Sequence, residues 1–186
     1  MKKLFLAAGA VLALAATPAA AQQGLTTIKL NGNVPIVCYV ANTTFQQGST
    51  IDVIFADLAN TDSTQKVAAP GISMNYLCNN PAGFTRTFTS ANGGKMVRSG
   101  TQGGAGNEIP YTIQHGGGSG LGFAEQDLTQ PRTTSLGGSS AFMSGQTGGL
   151  TLRAFGVKVP GASNLATTNA FAGNYADVIT VAITAN

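Results

Sequence analysis

Charge is scarce in this sequence: 9% of the residues are Asp, Glu, Lys or Arg, and there is no tryptophan. Disordered chains combine high charge with few hydrophobic residues, whereas 43% of this chain is hydrophobic. The shortage of Glu, Lys and Arg, together with 25 glycines, argues against a helical bundle or a coiled coil. The 186 residues suit one domain of moderate size.

Residues that carry catalysis or bind metal are also few. One histidine and two cysteines argue against a zinc site built by this chain alone, and we expect no metal and no cofactor. His115 could serve a catalytic triad, but there is no Gly-x-Ser-x-Gly motif, and we interpret it as an exposed loop histidine. Glu125 and Asp127 are interpreted as a solvated loop. We therefore predict no catalytic residue and no enzyme.

The N-terminus has the pattern of a secretory signal peptide over residues 1–21. Lys2 and Lys3 precede the apolar run Leu4–Ala16, and Ala19 and Ala21 supply the small residues of a cleavage site. The run is too short to span a bilayer, and no later segment reaches that length, so we expect no membrane span. Cleavage would leave a nearly neutral chain without a basic patch, which argues against a nucleic-acid partner.

Alternating apolar and polar residues predict an all-β fold. The pattern occurs around Phe84–Thr89, Ile109–Gln114 and Leu150–Arg153, and again in a final strand from Asn174 to Thr184. Gly and Asn-rich turns separate these runs, and no segment holds a convincing helical period. The glycine run Gly116–Gly122 lacks the Lys and the helix of a phosphate-binding loop, so we interpret it as a flexible surface loop.

Two cysteines, Cys38 and Cys78, survive cleavage of the signal peptide. An exported chain meets an oxidising compartment, where thiols pair. Both cysteines fall on the apolar face of their predicted strands by parity. We therefore predict a Cys38–Cys78 disulfide, which should stabilise the fold by about 4 kcal/mol in the chain-entropy model.

The segment before Cys38 also alternates. Ile28, Leu30, Gly32 and Val34 fall on one face of an extended segment that lies outside the predicted disulfide loop. Such a segment can complete its own domain or be given to another chain. Periodicity alone does not choose between the two.

Several segments together resemble the spore coat protein U family. The closing pattern of that family is a Gly-x-Tyr-x-Asp turn that leads into an alternating Thr/Val strand. The segments of this chain that resemble the family, in the family's order, are Gly71–Cys78, Ser90–Gly94, Ile109–Tyr111, Val157–Pro160 and Ala172–Ile183. The resemblance covers roughly residues 34 to 184.

The resemblance implies a subunit of a surface pilus of the archaic chaperone–usher type. Such subunits are immunoglobulin-like pilin β-sandwiches that are incomplete, because they lack their last strand, and a donor strand completes them. The implied partners are a periplasmic chaperone, an outer-membrane usher and neighbouring pilus subunits. Ala185 departs from the family pattern, because many such pilins carry an aromatic residue at the penultimate position.

The resemblance also assigns roles to segments. The expected domains are the signal peptide at 1–21, an N-terminal donor-strand segment at 22–34, and a single pilin β-sandwich domain at 35–186. The donor residues would be Ile28, Leu30, Gly32 and Val34. The final strand would form the groove edge that meets the chaperone, and its residues are Gly173, Tyr175, Ile179, Val181 and Ile183.

The expected function is therefore structural: an exported pilin that passes through the periplasm to the cell surface, where it supports adhesion or biofilm formation. The alternative is a monomeric secreted binding module, which could bind carbohydrate through its glycine-rich loops. In that alternative, the N-terminal strand would complete its own sandwich.

Overall fold

A computed structural model of the chain describes residues 28–42, 48, 50–56, 58–59, 66–161 and 166–186. The chain divides into two units between Val34 and Pro35. The predicted signal peptide, residues 1–21, lies outside the described residues. Of the first unit the structure describes residues 28–34, which contain no helix or strand.

The described part of the second unit is built almost entirely from β-strands. Its eleven strands are β1 (Cys38–Ala41), β2 (Lys66–Ala68), β3 (Ile72–Cys78), β4 (Phe84–Ser90), β5 (Lys95–Arg98), β6 (Glu108–Gly117), β7 (Phe123–Asp127), β8 (Arg132–Leu136), β9 (Gln146–Phe155), β10 (Tyr175–Ala176) and β11 (Ile179–Ala185). A single helical turn, α1 (Ser140–Ser144), precedes β9. The all-β prediction is confirmed.

Two antiparallel sheets organise these strands. The larger has the order β1-β3-β9-β6-β5-β10, with β2 added on β9 and β7 on β6. The smaller has the order β11-β4-β8. In the larger sheet β9 pairs with both β3 and β6, and it is the centre of the fold.

The core lies where the inner faces of the two sheets meet. In β4, Phe84, Arg86 and Phe88 are buried, and the intervening threonines are more exposed. The ring of Phe84 stacks on Tyr76 of β3 at 6.4 Å between centroids, which links the smaller sheet to the larger one. The two-residue alternation seen in the sequence therefore marks the inner face correctly.

The helix α1 has no periodic signal because it is only five residues long. Ser139 caps it by accepting a hydrogen bond from the Ala141 backbone N–H, and Phe142 anchors it in the core. Phe142 meets Phe84 edge to face at 4.9 Å. Within the described residues, no helix has the length and apolar character needed to cross a bilayer.

The glycine run is only partly the surface loop that the sequence suggested. Gly116 and Gly117 belong to β6 and pair with Gly149 and Gly148 of β9. The residues that follow form an exposed turn, but Leu121 at its end is fully buried. The interpretation as a flexible loop was wrong for Gly116 and Gly117. The pairing of β6 with β9 continues through them, and their partners on β9 are also glycines, so no side chains meet there.

Candidate strand-docking edge and buried polar cluster

The described residues of the first unit carry exposed apolar side chains. Ile28, Leu30 and Val34 are 79%, 91% and 80% exposed, and Gly32 is also exposed. These four are the residues that the sequence marks as one face of a donor strand. The rest of the proposed donor segment, residues 22–27, lies outside the described residues.

Strand β11 forms one edge of the smaller sheet, and its hydrogen-bond phase is fixed at both ends. The Ala91 N–H donates to the Val178 carbonyl at 2.9 Å, and the Asn186 N–H donates to the Gly83 carbonyl at 3.1 Å. In an antiparallel pair, the residues that face the partner strand alternate with residues that face away. The even-numbered residues of β11 therefore direct their backbone N–H and C=O groups towards β4.

The odd-numbered residues of β11 consequently point their backbone N–H and C=O groups away from β4. Among the described residues no strand pairs with β11 on that side. The side chains of Ile179, Val181 and Ile183 are only partly buried and pack against the core. This edge combines open backbone groups with a row of half-covered aliphatic side chains, and we call it the β11 edge.

Strand β1 is the corresponding edge of the larger sheet and lies close to β11. The Asn79 N–H donates to the Val37 carbonyl, so Cys38 and Val40 direct their backbone groups away from β3. Both side chains are partly buried against the core. Both edges therefore present outward-directed backbone groups and partly buried apolar side chains to the space beside them.

The Cys38–Cys78 disulfide is present, as predicted. The two cysteines are directly opposite each other in the β1–β3 ladder. They form a pair without mutual backbone hydrogen bonds, in which side chains approach most closely. The bridge therefore fastens the edge strand β1 to the body of the larger sheet.

The expected final strand, Asn174 to Thr184, is divided into two. Tyr175 and Ala176 form β10 and pair with β5 in the larger sheet, whereas Ile179 begins β11 in the smaller one. Gly173 precedes the division with φ of 153°, and a Cβ there would lie 2.9 Å from Arg98 Cδ. The chain therefore changes sheets within three residues.

Asp177 holds this crossing in place. Its carboxylate accepts hydrogen bonds from the hydroxyls of Ser90 and Tyr111, both at 2.5 Å, and from the backbone N–H groups of Asn92 and Val178. Burial, and then the bond to Asp177, raises the pKa of Tyr111. The Asp of the Gly-x-Tyr-x-Asp pattern is thus a structural acceptor that ties β11 to β4 and β6.

His115 is not an exposed loop residue; that interpretation was wrong. It lies in β6, is 2% exposed, and shares the inner face with Ile109, Tyr111 and Ile113. The parity of β6 could have shown this, since all four residues are odd-numbered. The neighbouring glycines concealed the strand.

His115 belongs to a buried polar cluster with Tyr76 and Arg86. Its Nε2 lies 2.8 Å from the Tyr76 hydroxyl and 3.5 Å from Arg86 Nη1. Because arginine carries only donors, the second contact makes Nε2 an acceptor and assigns the ring proton to Nδ1. Arg86 Nη2 donates to the Leu121 carbonyl at 2.9 Å.

Burial sets the protonation of this cluster. It lowers the pKa of His115 from 6.5 to about 4, and repulsion by Arg86 adds to that effect. Burial also raises the pKa of Tyr76 to about 12. At neutral pH the cluster therefore contains one cation, Arg86, and two neutral groups.

Glu125 and Asp127 lie in strand β7, so the interpretation as a loop was wrong. Glu125 forms ion pairs with Lys66 at 2.6 Å and Arg153 at 3.2 Å, and the first of these contacts is the main cause of its lowered pKa. The Asp127 carboxylate accepts a hydrogen bond from Thr129. The two carboxylates thus have separate structural partners.

Comparison of the chain with protein-family models and with curated proteins finds no match. Over the described ranges there is no group of three or more His, Cys, Asp or Glu side chains that could hold a metal ion. The chemical features that the structure does present are the open edges of β1 and β11 and the buried cluster around Arg86.

Proposed function

We propose that this protein is a structural subunit of a surface pilus, polymerised by donor-strand exchange and supporting adhesion or biofilm formation. The observation that carries the proposal is the β11 edge. Its backbone groups have no partner strand within the described ranges, and its aliphatic side chains are half-buried. Both features match what an added β-strand needs: main-chain bonds for affinity and apolar contacts for register. An exposed edge of this kind invites pairing with another chain.

The donor in this proposal is the N-terminal segment of a neighbouring subunit. Ile28, Leu30 and Val34 are large and exposed, and their spacings of two and four residues are both even, so an extended segment would direct all three to one side. Burying each of them against the half-covered rows of β1 and β11 would contribute roughly 1.5–3 kcal/mol. Gly32 would occupy the position where the groove has least depth.

The proposed assembly partners rest on the resemblance to the spore coat protein U family and on the predicted export signal. A periplasmic chaperone would cover the β11 edge before assembly, and an outer-membrane usher would exchange it for the donor of the next subunit. The immunoglobulin-like form of the incomplete sandwich is part of the same proposal. The Cys38–Cys78 bridge would hold β1 in place while the edge beside it is open.

The proposal is tested by Leu30→Asp. In a donor strand, this change puts a carboxylate into an apolar groove, which costs more than the roughly 1.5–3 kcal/mol of lost burial. We expect the subunit to accumulate in the periplasm with its chaperone while surface fibres are lost. Fibre yield is measured by electron microscopy and by unboiled gels of cell-surface material, and the subunit by co-purification with the chaperone.

Asn31→Asp is the matched control, because it adds the same carboxylate one residue later, on the opposite side of an extended segment. It should leave the ladder of multimers intact. Normal fibres from the Leu30→Asp chain would show that this segment is not the donor. A lone monomer on unboiled gels of the unmodified protein would favour the secreted binding module instead.

A further inference from the structure

Buried polar atoms without a hydrogen-bond partner gather in one part of the fold. Four such side-chain atoms occur among the described residues: Arg86 Nε, His115 Nδ1, Arg132 Nε and Thr134 Oγ1. Three of them, on Arg86, Arg132 and Thr134, belong to the adjacent strands β4 and β8. Buried polar groups are normally paired, so such a concentration indicates a specific cause.

The register places these three side chains together. Thr134 is directly opposite Arg86, and Arg132 is opposite Phe88, the next inner-face residue of β4. The guanidinium carbons of Arg86 and Arg132 lie 5.5 and 5.6 Å from the centroid of the same ring, Phe123. Diagonal neighbours across an antiparallel pair are within reach of long side chains.

Among the described residues, no ion pair balances the charges of Arg86 and Arg132. Arg86 is fully buried, and this burial lowers its pKa, with repulsion by Arg132 as a smaller cause in the same direction. The three ion pairs of the described residues involve other cations, Lys66, Lys95 and Arg153. Aromatic rings around Arg86 offset part of its charge, but they leave its Nε–H unpaired.

We infer that the inner faces of β4 and β8 bind a small inorganic anion of the size of chloride, held by Arg86 Nε, Arg132 Nε and the Thr134 hydroxyl. A buried cation is stable when it is paired and hydrogen-bonded, and one anion would pair both arginines. The three donor atoms have almost no surface accessible to a water-sized probe, so the side chains must part to admit an ion, and only a small ion fits. The site is separate from the β11 edge and does not depend on assembly.

The test compares thermal unfolding of the isolated protein in sodium chloride and in sodium gluconate at equal ionic strength. A bound anion stabilises by mass action, and at ten times its dissociation constant it should raise Tm by about 3–6 °C in a domain of this size. Crystals soaked in sodium bromide should show an anomalous peak at hydrogen-bond distance from Arg132 Nε.

Variants assign the effect to the site. Arg132→Gln should abolish the difference in Tm between chloride and gluconate, and the milder Thr134→Val should reduce it. Arg153→Gln is the matched control, because it removes an arginine that is paired with Glu125, and it should retain the full difference. Equal Tm of the unmodified protein in the two salts, or bromide density elsewhere only, would overturn the inference.

Discussion

Two glycines of β9 have opposite roles although they are neighbours. Gly148 is buried, and an added Cβ would overlap His115 Cε1 and lie 3.1 Å from the Gly116 carbonyl oxygen. Gly149 is exposed and an added Cβ would meet nothing within 4 Å. The absence of a side chain at Gly148 is therefore what admits the imidazole of His115 to the core.

Gly148→Ala should consequently destabilise the protein by about 1–3 kcal/mol, the usual cost of overpacking a core. Gly149→Ala should be neutral or stabilising by up to about 1 kcal/mol, because it restricts only the unfolded chain. Urea unfolding of both variants gives the comparison. Equal losses at the two positions would mean that His115 can move aside.

His115 should also make stability depend on pH. Its pKa falls from 6.5 in the unfolded chain to about 4 in the fold, so between these values the unfolded chain binds the proton. Stability should be highest above pH 6.5 and should decline by about 3 kcal/mol as the pH falls to 4. The measurement is urea unfolding at pH 7, 5.5 and 4.

His115→Gln is the comparison for that decline, because the amide remains polar and does not titrate. The variant should lose about 3 kcal/mol less than the unmodified protein over the same interval. Acidic groups such as Glu108 and Glu125 titrate in both proteins and cancel in the difference. If stability falls with pH equally in the two proteins, the pKa of His115 is not lowered in the fold.

At the scale of the elements, the important property of β11 is which of its residues hydrogen-bond to β4 through their backbone. Val181 points its N–H to the open side, whereas Ala182 points its N–H to β4, opposite Thr87. Proline lacks this N–H and is accepted in an edge strand only where the N–H faces outward. Proline substitutions at Val181 and at Ala182 therefore show which of the two N–H groups lies on the open side of β11.

Ala182→Pro should be less stable than Val181→Pro by about 1–3 kcal/mol, since it breaks a bond of the ladder and leaves a carbonyl of β4 unpaired. Val181→Ala controls for the lost side chain and should resemble Val181→Pro in Tm. The three variants are compared by thermal unfolding. Greater damage from Val181→Pro would place β11 in the opposite phase.

The sequence could predict the strands in which buried and exposed residues alternate along the chain. Phe84, Arg86 and Phe88 alternate with threonines, and this alone identifies the inner face of β4. The division between β10 and β11 could not be predicted, because Asp177 joins them through bonds to Ser90 and Tyr111, which are distant in sequence. The burial of His115 was missed because adjacent glycines resemble a loop.

At the scale of the whole molecule, the disulfide is the one covalent constraint between distant parts of the described chain. It closes a 40-residue separation and ties the edge strand β1 to β3. Four consecutive residue pairs already join these strands in the fold. The bridge is therefore expected to act chiefly on the unfolded chain, whose freedom it restricts.

Replacing both cysteines, Cys38→Ala with Cys78→Ala, should lower the free energy of unfolding by about 4 kcal/mol, the chain-entropy value for a loop of this length. The double variant avoids a reactive single thiol, and reduction of the unmodified protein in urea provides the matched control, because it opens the same loop without changing the sequence. Both should shift the urea midpoint in the same direction by similar amounts. Alkylation under denaturing conditions should find no free thiol in the unmodified protein. A loss below about 1 kcal/mol would mean that the unfolded loop is already restricted by residual structure, and the entropic argument for the bridge would fail.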